Sequence, residues 1–466
     1  MLLRGSLEVG QPPATLAEPG MYFVHNERTG GMYSKYGVFG AVCFLPPMAL
    51  EYATTGELPA LDSRDRVVLL NGWNTLLTMA LAGMLVRLGS LYTRRVWLLS
   101  GFAVLTVFGS FIWNYARAQA TELPQILLTV VMADQLFRWM RAEGEAGRSR
   151  GVWRGLVVWA CVAALALTRT NYVMLVPVVA VGMAMGGGMR RGLGWGVCGG
   201  VVVAGLMGLA NFVKFGSPFL TGYHQYNPAG HMPGIDPFPA VWGFFVSAQK
   251  GIWWHFPLAG IAVVGWAGFF RRHGKEAWVL VAGVVCVLVP LLFVPTWAGD
   301  WGYGPRYLVA GLPLYGLPWL SWVGNSLPGW RRNAVLGAAV ATGMAGMYLG
   351  FEVNRAAYFS AYKVRAPFSD LVQPPAGFGS FAPGATYPGM EYFERRPWGV
   401  IVGDVFRAEG RLERSPLGEV AKETFSPEDY QAVRLLYWQV YRDGNWWWET
   451  RGKRFDESKF ALPGDW

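Results

Sequence analysis

The sequence predicts an all-α polytopic membrane protein with about ten transmembrane helices, each of about 20 mostly apolar residues. The 466 residues are 53% hydrophobic and only 15% charged, and the mean hydropathy is +0.26. This composition is typical of a chain that crosses a bilayer several times and excludes a set of soluble domains. The candidate spans are residues 66–88, 96–113, 122–140, 152–167, 171–189, 192–213, 251–270, 277–296, 306–324 and 334–351.

Basic residues collect in every second loop between the candidate spans. Arginines or lysines stand at 94–95, 141–154, 190–191, 271–275 and 331–332. Under the positive-inside rule these loops are cytoplasmic, and the loops rich in glycine, proline and aromatic residues face the other side. We therefore expect a multi-pass plasma (inner) membrane protein whose active site is extracytoplasmic. The formal charge of +10 reflects topology and not nucleic-acid binding.

Three regions follow from this pattern. Residues 1–65 are predicted as an extracytoplasmic loop with interfacial helices, of which 37–50 breaks at Pro46 and Pro47. Residues 66–352 form the transmembrane bundle with catalytic outer loops. Residues 353–466 are polar and predict a small extracytoplasmic domain or tail, with a helix at 427–440.

The loop at residues 297–313, WAGDWGYGPRYLVAGLP, is the strongest candidate for one wall of an active site. Its glycines allow tight backbone turns, and Pro305 suits the first turn of a helix. Arg306 then stands near a helix N-terminus, where a guanidinium and exposed N–H groups both attract phosphate. Asp300 is an acidic candidate in the same loop. The alternative is an interfacial aromatic belt with a snorkelling arginine.

Other outer loops add charged candidates, each with an ordinary alternative. Glu122 begins an apolar helix, where a carboxylate either caps the helix or does chemistry. Arg169, in the turn TRTN, is either a phosphate ligand or an interfacial anchor. Lys250, beside Trp254, either snorkels or holds an anion.

No cofactor or metal is expected. His224 and His231 lie seven residues apart on an irregular loop, with no Cys or third His to complete a metal site. Four cysteines lie in apolar runs and are interpreted as small hydrophobic residues.

Six short motifs along the membrane region resemble, in order, those of the GT-C glycosyltransferase superfamily. The chain is most similar to multi-pass bacterial and archaeal proteins related to protein O-mannosyltransferases and lipid A aminoarabinose transferase. The motifs are YSKYG at 33–37, residues 113–124, LALTR at 165–169, NFVKFGSPFLTGY at 211–223, KGIWWHFP at 250–257 and residues 301–313.

The resemblance implies an inverting transferase that moves a sugar from a polyprenyl-phosphate carrier to an extracytoplasmic lipid, glycan or protein acceptor. It implies that Lys35 and Lys250 hold the lipid phosphate, to which we add Arg306 from its helix-terminal position. Glu122 matches a second acidic residue of the family, and Glu122 and Asp300 are the candidate carboxylate bases. The side chains expected to line the substrate are Tyr33, Tyr36, Tyr223, His224, Trp254 and Tyr307.

One departure from the family concerns its first transmembrane helix and the acidic catalytic motif that follows it. Both are expected upstream of Met1, unless Glu8, Glu18 or Glu27 substitutes for the carboxylate. Two alternatives to monosaccharide transfer stay open, a polyprenyl-linked glycan ligase and a flippase or transporter. A transporter normally carries ionisable groups near the midplane of its helices, whereas charge here gathers near loop ends.

Overall fold

A computed structural model describes most of the membrane region and part of the N-terminal region. The described residues are 8–9, 23–26, 28–34, 36–56, 64–116, 121–142, 149–222, 237–245, 251–293, 305–326 and 329–348. Within them the protein is a bundle of helices with one very small sheet, so the all-α prediction is confirmed there. The predicted C-terminal region, 353–466, lies outside the described residues.

A three-stranded antiparallel sheet precedes the bundle. Strands β1 (Glu8–Val9) and β2 (Phe23–His25) flank β3 (Met32–Ser34), and Tyr33 pairs with Glu8 on one side and Val24 on the other. The sequence analysis did not predict this sheet. Strands of two or three residues are too short to produce a readable alternation of apolar and polar side chains.

Two short helices follow the sheet, α1 (Val38–Cys43) and α2 (Leu45–Thr55). The break between them falls at Phe44, and both prolines stand in the first turns of α2. Proline is tolerated there because the N–H groups of a first turn have no partner within the helix. The predicted position of these helices at the membrane surface stays a prediction.

The bundle contains longer helices connected by turns. Its α-helices are α3 (Arg64–Gly89), α4 (Val96–Phe108), α5 (Ile112–Ala116), α6 (Glu122–Arg141), α7 (Ser149–Thr168), α8 (Leu175–Gly187), α9 (Met189–Phe215), α10 (Phe238–Phe245), α11 (Ile252–His255), α12 (Pro257–Arg272), α13 (Gly274–Leu292), α14 (Leu312–Tyr315), α15 (Leu317–Ser326) and α16 (Gly329–Tyr348). Two 3₁₀ segments, Thr170–Met174 and Arg306–Gly311, precede α8 and α14.

Five helical segments in the described part of the chain are long and apolar enough to cross a membrane. They are Leu69–Gly89, Ser149–Thr168, Thr170–Gly187, Met189–Phe215 and Gly274–Leu292. The helix Val96–Phe108 is apolar but shorter. These segments identify a membrane protein.

Several predicted spans are divided in the structure. Predicted span 96–113 ends as a helix at Phe108, with Gly109 as its C-cap, and α5 follows. Predicted span 306–324 is built from a 3₁₀ segment, α14 and α15. Prolines at 313 and 318 each remove a backbone donor, which explains why this apolar run is not one continuous helix.

Successive long helices run in opposite directions, so the bundle has two ends. The Glu122 end holds the start of α6 and the end of α7, where Arg169 contacts Glu122. The Glu276 end holds the end of α6 and the start of α13, where Arg141 contacts Glu276. At about 1.5 Å per residue, the 20 residues of α6 separate the two ends by about 30 Å.

Buried polar groups tie helices together at the Glu276 end. Arg141 donates two hydrogen bonds to Glu276, at 2.6 and 3.0 Å, and the Tyr92 hydroxyl donates a third at 2.7 Å. Burial, reinforced by the Glu276 charge, raises the pKa of Tyr92 well above its usual value, so this phenol stays a donor. Burial lowers the pKa of His273, so its imidazole is neutral near pH 7 and Arg141 balances the carboxylate.

Asp134 forms a second ion-pair cluster near the same end. Its fully buried carboxylate accepts hydrogen bonds from Arg87 at 2.9 Å and from Arg138 and Gln135 at 2.8 Å. A buried carboxylate is tolerated only when it is paired in this way. The cluster therefore fixes the end of α3 against α6.

Glycines allow α8 and α9 to pack with their backbones in contact. A Cβ on Gly192 would collide with the backbone of Ala184, and one on Gly196 would lie 2.6 Å from the Cβ of Ala180. One turn further, Gly199 packs on the ring of Trp159. The close approach of small residues is a common way for helices to associate where lipid removes the hydrophobic driving force.

Replacing Gly192 by alanine should destabilise the protein by about 1–3 kcal/mol, because α9 must move away from Ala184. The check is the thermal midpoint of unfolding in detergent. Gly194→Ala is the matched control on the same helix, since nothing lies within 4 Å of its added Cβ. An equal midpoint for the two variants would contradict the packing described.

Candidate functional site

Glu122 is the centre of a buried ion-pair cluster at one end of the bundle. It is the first residue of α6, and the residue as a whole is only 3% exposed. Its Oε1 accepts a hydrogen bond from Nη2 of Arg169 at 2.6 Å and lies 3.3 Å from Nε of Arg306. A carboxylate in a first turn also interacts favourably with the helix dipole. Glu122 therefore stabilises the start of α6 and also belongs to a charged cluster.

The local backbone conformation positions the two arginines beside this carboxylate. Arg169 follows α7 directly and is extended, with φ −145° and ψ 129°, which turns its side chain away from the helix it leaves. Arg306 opens the 3₁₀ segment after Pro305. Arg306 was expected at a helix N-terminus, and it stands at the start of this 3₁₀ segment.

Tyr307 lies beneath both guanidinium groups. The Cζ atom of Arg169 is 4.9 Å from the centre of the Tyr307 ring, and that of Arg306 is 5.7 Å from it. Guanidinium groups are attracted to aromatic faces at such distances. We call Glu122, Arg169, Arg306 and Tyr307 the Glu122 cluster.

A short hydrogen-bond chain extends the cluster along α6. The Tyr172 hydroxyl donates to Oε1 of Gln125 at 2.9 Å, and Nε2 of Gln125 donates to Oγ1 of Thr121 at 2.9 Å. Gln125 and Tyr172 are almost completely buried, at 1% and 3% exposed. These bonds hold the segment after Arg169 against the start of α6.

Helix α1 brings the YSKYG motif to the same place. A Cβ on Gly37 would fall on the carbonyl groups of Leu167 and Thr168, immediately before Arg169. A Cβ on Gly40 would lie 2.6 Å from Cγ2 of Thr121, immediately before Glu122. Both positions require glycine, because backbone or side-chain atoms of α6 and α7 occupy the space a side chain would need.

Lys214, at the end of α9, is a buried cation that the sequence analysis did not single out. It is 5% exposed and donates from Nζ to the carbonyl oxygen of Tyr36. The side chain of Asn26 in turn donates to the carbonyl oxygen of Lys214 at 3.1 Å. The sequence did contain an indication of this buried cation, since Lys214 is a lysine at the end of a long apolar run, within the 211–223 motif.

An apolar groove runs from the Glu122 cluster into the bundle. Tyr172 and Tyr307 line its upper part, and Leu136 and Val279 line it deeper between α6 and α13. Other lining residues include Leu175, Val178, Gly283, Leu308 and Gly311. Tyr307 lines the groove and also contacts both arginines, so the groove and the cluster adjoin at this side chain.

Among the described residues of the cluster, two guanidinium groups face one carboxylate. A preorganised cationic site of this kind can hold an anionic group without reorganisation.

The structure brings three of the predicted site residues together, namely Glu122, Arg306 and Tyr307. Tyr33 is buried in the small sheet, and Tyr36 is attached to the cluster region through Gly37. The candidates that lie outside the described residues are Lys35, Tyr223, His224, Lys250 and Asp300, and for Trp254 the side chain does. Across the described ranges, no group of three metal-ligating side chains is found and the cysteines are free.

From the sequence, Arg169 was a separate candidate from Glu122, either a phosphate ligand or an interfacial anchor. The observed ion pair joins residues 47 positions apart. No local pattern reveals such a pair. The only available signal was that both residues stand where apolar segments meet outer loops.

Replacing Glu122 by glutamine should destabilise the protein by about 3 kcal/mol, because two arginines would lose their buried counter-charge. Arg169→Gln combined with Glu122→Gln should cost less than the sum of the single changes. Denaturation midpoints of the four proteins in a double-mutant cycle measure this coupling. The half-buried Glu51 of α2 supplies a control, Glu51→Gln, for loss of a carboxylate as such.

Strictly additive effects in the Glu122 and Arg169 cycle would contradict the ion pair.

Comparison with known proteins supplies no relative for this chain, since no family model, no curated protein and no solved structure matches it.

Proposed function

We propose that the chain is a membrane glycosyltransferase that takes a sugar from a polyprenyl-phosphate carrier and gives it to an extracytoplasmic acceptor. In this proposal about ten helices cross the plasma membrane, and the Glu122 end faces the outside. The acceptor is a lipid, a glycan or a protein. The order of motifs that resembles the GT-C superfamily agrees with the proposal.

One observation supports the proposal: two arginines, paired with a buried carboxylate, lie over the ring of Tyr307, and that ring also lines an apolar groove. A polyprenyl phosphate needs a cationic site for its headgroup and an apolar surface for its chain. When the sugar leaves, negative charge grows on the phosphate oxygen. Cations already in place stabilise that charge at the transition state.

The role of Glu122 follows from its contacts. Both arginines approach the same oxygen, Oε1, so in the observed arrangement the carboxylate orders Arg169 and Arg306. A general base must come within about 2.6–3.2 Å of the acceptor proton. Glu122 would meet that requirement only through its other oxygen, and Asp300 is the second candidate base. Attack from the face opposite the leaving phosphate gives inversion.

A flippase or transporter is the main alternative. Asp134 is the buried carboxylate inside a helix that most resembles a transport residue, but it lies about two turns from the end of α6 and is paired with two arginines. The Glu122 cluster also lies at the end of helices. Charge near the helix ends favours chemistry on a lipid-borne substrate at the membrane surface.

Replacing Arg306 by glutamine should lower the rate of sugar transfer about a hundredfold, because one preorganised contact to the leaving phosphate is lost. The measurement is transfer from a monosaccharide polyprenyl phosphate by the purified protein in vitro. Lys35→Ala and Lys250→Ala should show losses of similar size. Arg331→Gln, at the other end of the bundle, is the control and should leave the rate unchanged.

Full activity in Arg306→Gln, Lys35→Ala and Lys250→Ala together would refute the phosphate assignment. Binding of the carrier without any transfer in the parent protein would favour a ligase or flippase.

Replacing Gly283 by leucine should narrow the groove and discriminate against long carriers. The nearest atoms to a Cβ at this position are side-chain carbons of Leu175 and Val178, at 3.8 and 4.0 Å, so a larger side chain enters the groove without striking backbone. We expect the KM for a long-chain donor to rise about tenfold or more, while a short-chain donor is affected less.

Gly268→Leu on α12 is the matched control, since nothing lies within 4 Å of a Cβ there. Equal KM changes for long and short donors in Gly283→Leu would show that the groove does not hold the chain.

A further inference from the structure

A second pocket lies at the opposite end of the bundle, where α3, α6 and α7 meet. Its volume is about 580 Å³, within the range that accommodates a small-molecule ligand. The polar part of its lining consists of Arg87, Gln135, Ser149, Arg150 and Arg154. This pocket is separate from the Glu122 cluster and plays no part in the proposed transfer reaction.

Among the described residues, the side chains around the pocket carry more positive than negative charge. Arg87 and Arg138 share the buried carboxylate of Asp134, and the side chain of Arg87 remains 52% exposed. Nη1 of Arg154 donates to the carbonyl oxygen of Arg138 at 3.3 Å, which brings its guanidinium group to the same place. Within the described ranges, Arg150 and Arg154 form no ion pair with a carboxylate, so four guanidinium groups face one carboxylate.

The apolar part of the pocket lies beside the cations. Met84, Val131 and Val157 line its inner wall. Trp153 stands at the rim, 66% exposed, and Leu156 next to it is 51% exposed. Exposed tryptophan beside arginines at helix ends is typical of the level where lipid headgroups meet acyl chains.

These features together indicate a ligand with an anionic head and an apolar body. A soluble phosphate would use the arginines but leave the apolar wall unoccupied. An anionic glycerophospholipid would place its phosphate among the arginines and the start of its acyl chains along Met84, Val131 and Val157. Basic pockets between transmembrane helices are known to hold such headgroups.

We propose that this pocket is a binding site for an anionic phospholipid whose headgroup phosphate contacts Arg87, Arg150 and Arg154. The lipid occupies a fixed site between α3 and α7, next to the Asp134 cluster. It fills the space between these helices near the Glu276 end of the bundle. The site requires no catalytic step.

The test uses the full chain, purified in neutral detergent and mixed with defined lipids. Native mass spectrometry counts the phospholipid molecules retained, with phosphatidylglycerol and phosphatidylcholine of identical acyl chains compared at equal concentration. We expect preferential retention of one phosphatidylglycerol. A photoactivatable phosphatidylglycerol should cross-link to residues 149–157 of the unaltered protein.

The double variant Arg150→Gln/Arg154→Gln should reduce that preference about thirtyfold, since each cation near a membrane surface contributes about fivefold. The control Arg94→Gln/Arg95→Gln removes two exposed arginines from the same end of the bundle and should keep the preference. Thermal midpoints of both variants report whether each is folded. The cross-linking measurement on the unaltered protein decides the outcome if the first variant does not fold.

Three results would overturn the proposal. The first is equal retention of the two lipids by the unaltered protein, as expected if Glu143 and Glu145 of the intervening segment neutralise the arginines. The second is equal loss in both double variants, which would indicate general charge attraction. The third is displacement of the lipid by millimolar inorganic phosphate, which would indicate a site for a free anion.

Discussion

The ion pair between Glu122 and its two arginines is the constraint on which the rest of the candidate site depends. It joins the start of α6, the end of α7 and the segment after Pro305, which are far apart in sequence. Removing charge from water is costly, so this arrangement persists only while all three segments stay in register. The same contacts place two cations over Tyr307, which also lines the apolar groove. In the proposed function, the atoms that hold these segments together would also bind the donor phosphate.

Helix α6 carries ion-paired residues at both ends of the bundle. Glu122 stands at its start, Asp134 lies within its second half, and Arg141 ends it with a bond to Glu276. Between these polar points the helix buries its own apolar side chains, such as Ile126 and Phe137, against the surrounding helices. Apolar packing alone permits one helix to shift along another. A shift that separates paired buried charges costs free energy, so the ion pairs oppose it. The ion pairs thus fix the register of α6 against α3, α7 and α13, and apolar packing fills the space between these helices.

The sequence predicted the helical class of the described region and three residues of the candidate site, for identifiable physical reasons. Apolar length reveals helices such as α7 and α9, because each must cover the hydrocarbon core by itself. Residues such as Arg306 were visible because charge is rare beside apolar runs. Pairings such as Arg169 with Glu122, and the contact of Lys214 with Tyr36, depend on how helices meet in space. Short strands and the division of 306–324 depend on local backbone geometry that periodicity does not report.

The position of the YSKYG segment is determined by the absence of side chains. Gly37 and Gly40 bring the backbone of α1 into direct contact with the last carbonyl groups of α7 and with Thr121. At Gly37 the separation of α1 from α7 is set by backbone atoms, because this residue has no side chain to fill the gap. A larger residue there would push the start of α1 away from the turn that holds Arg169.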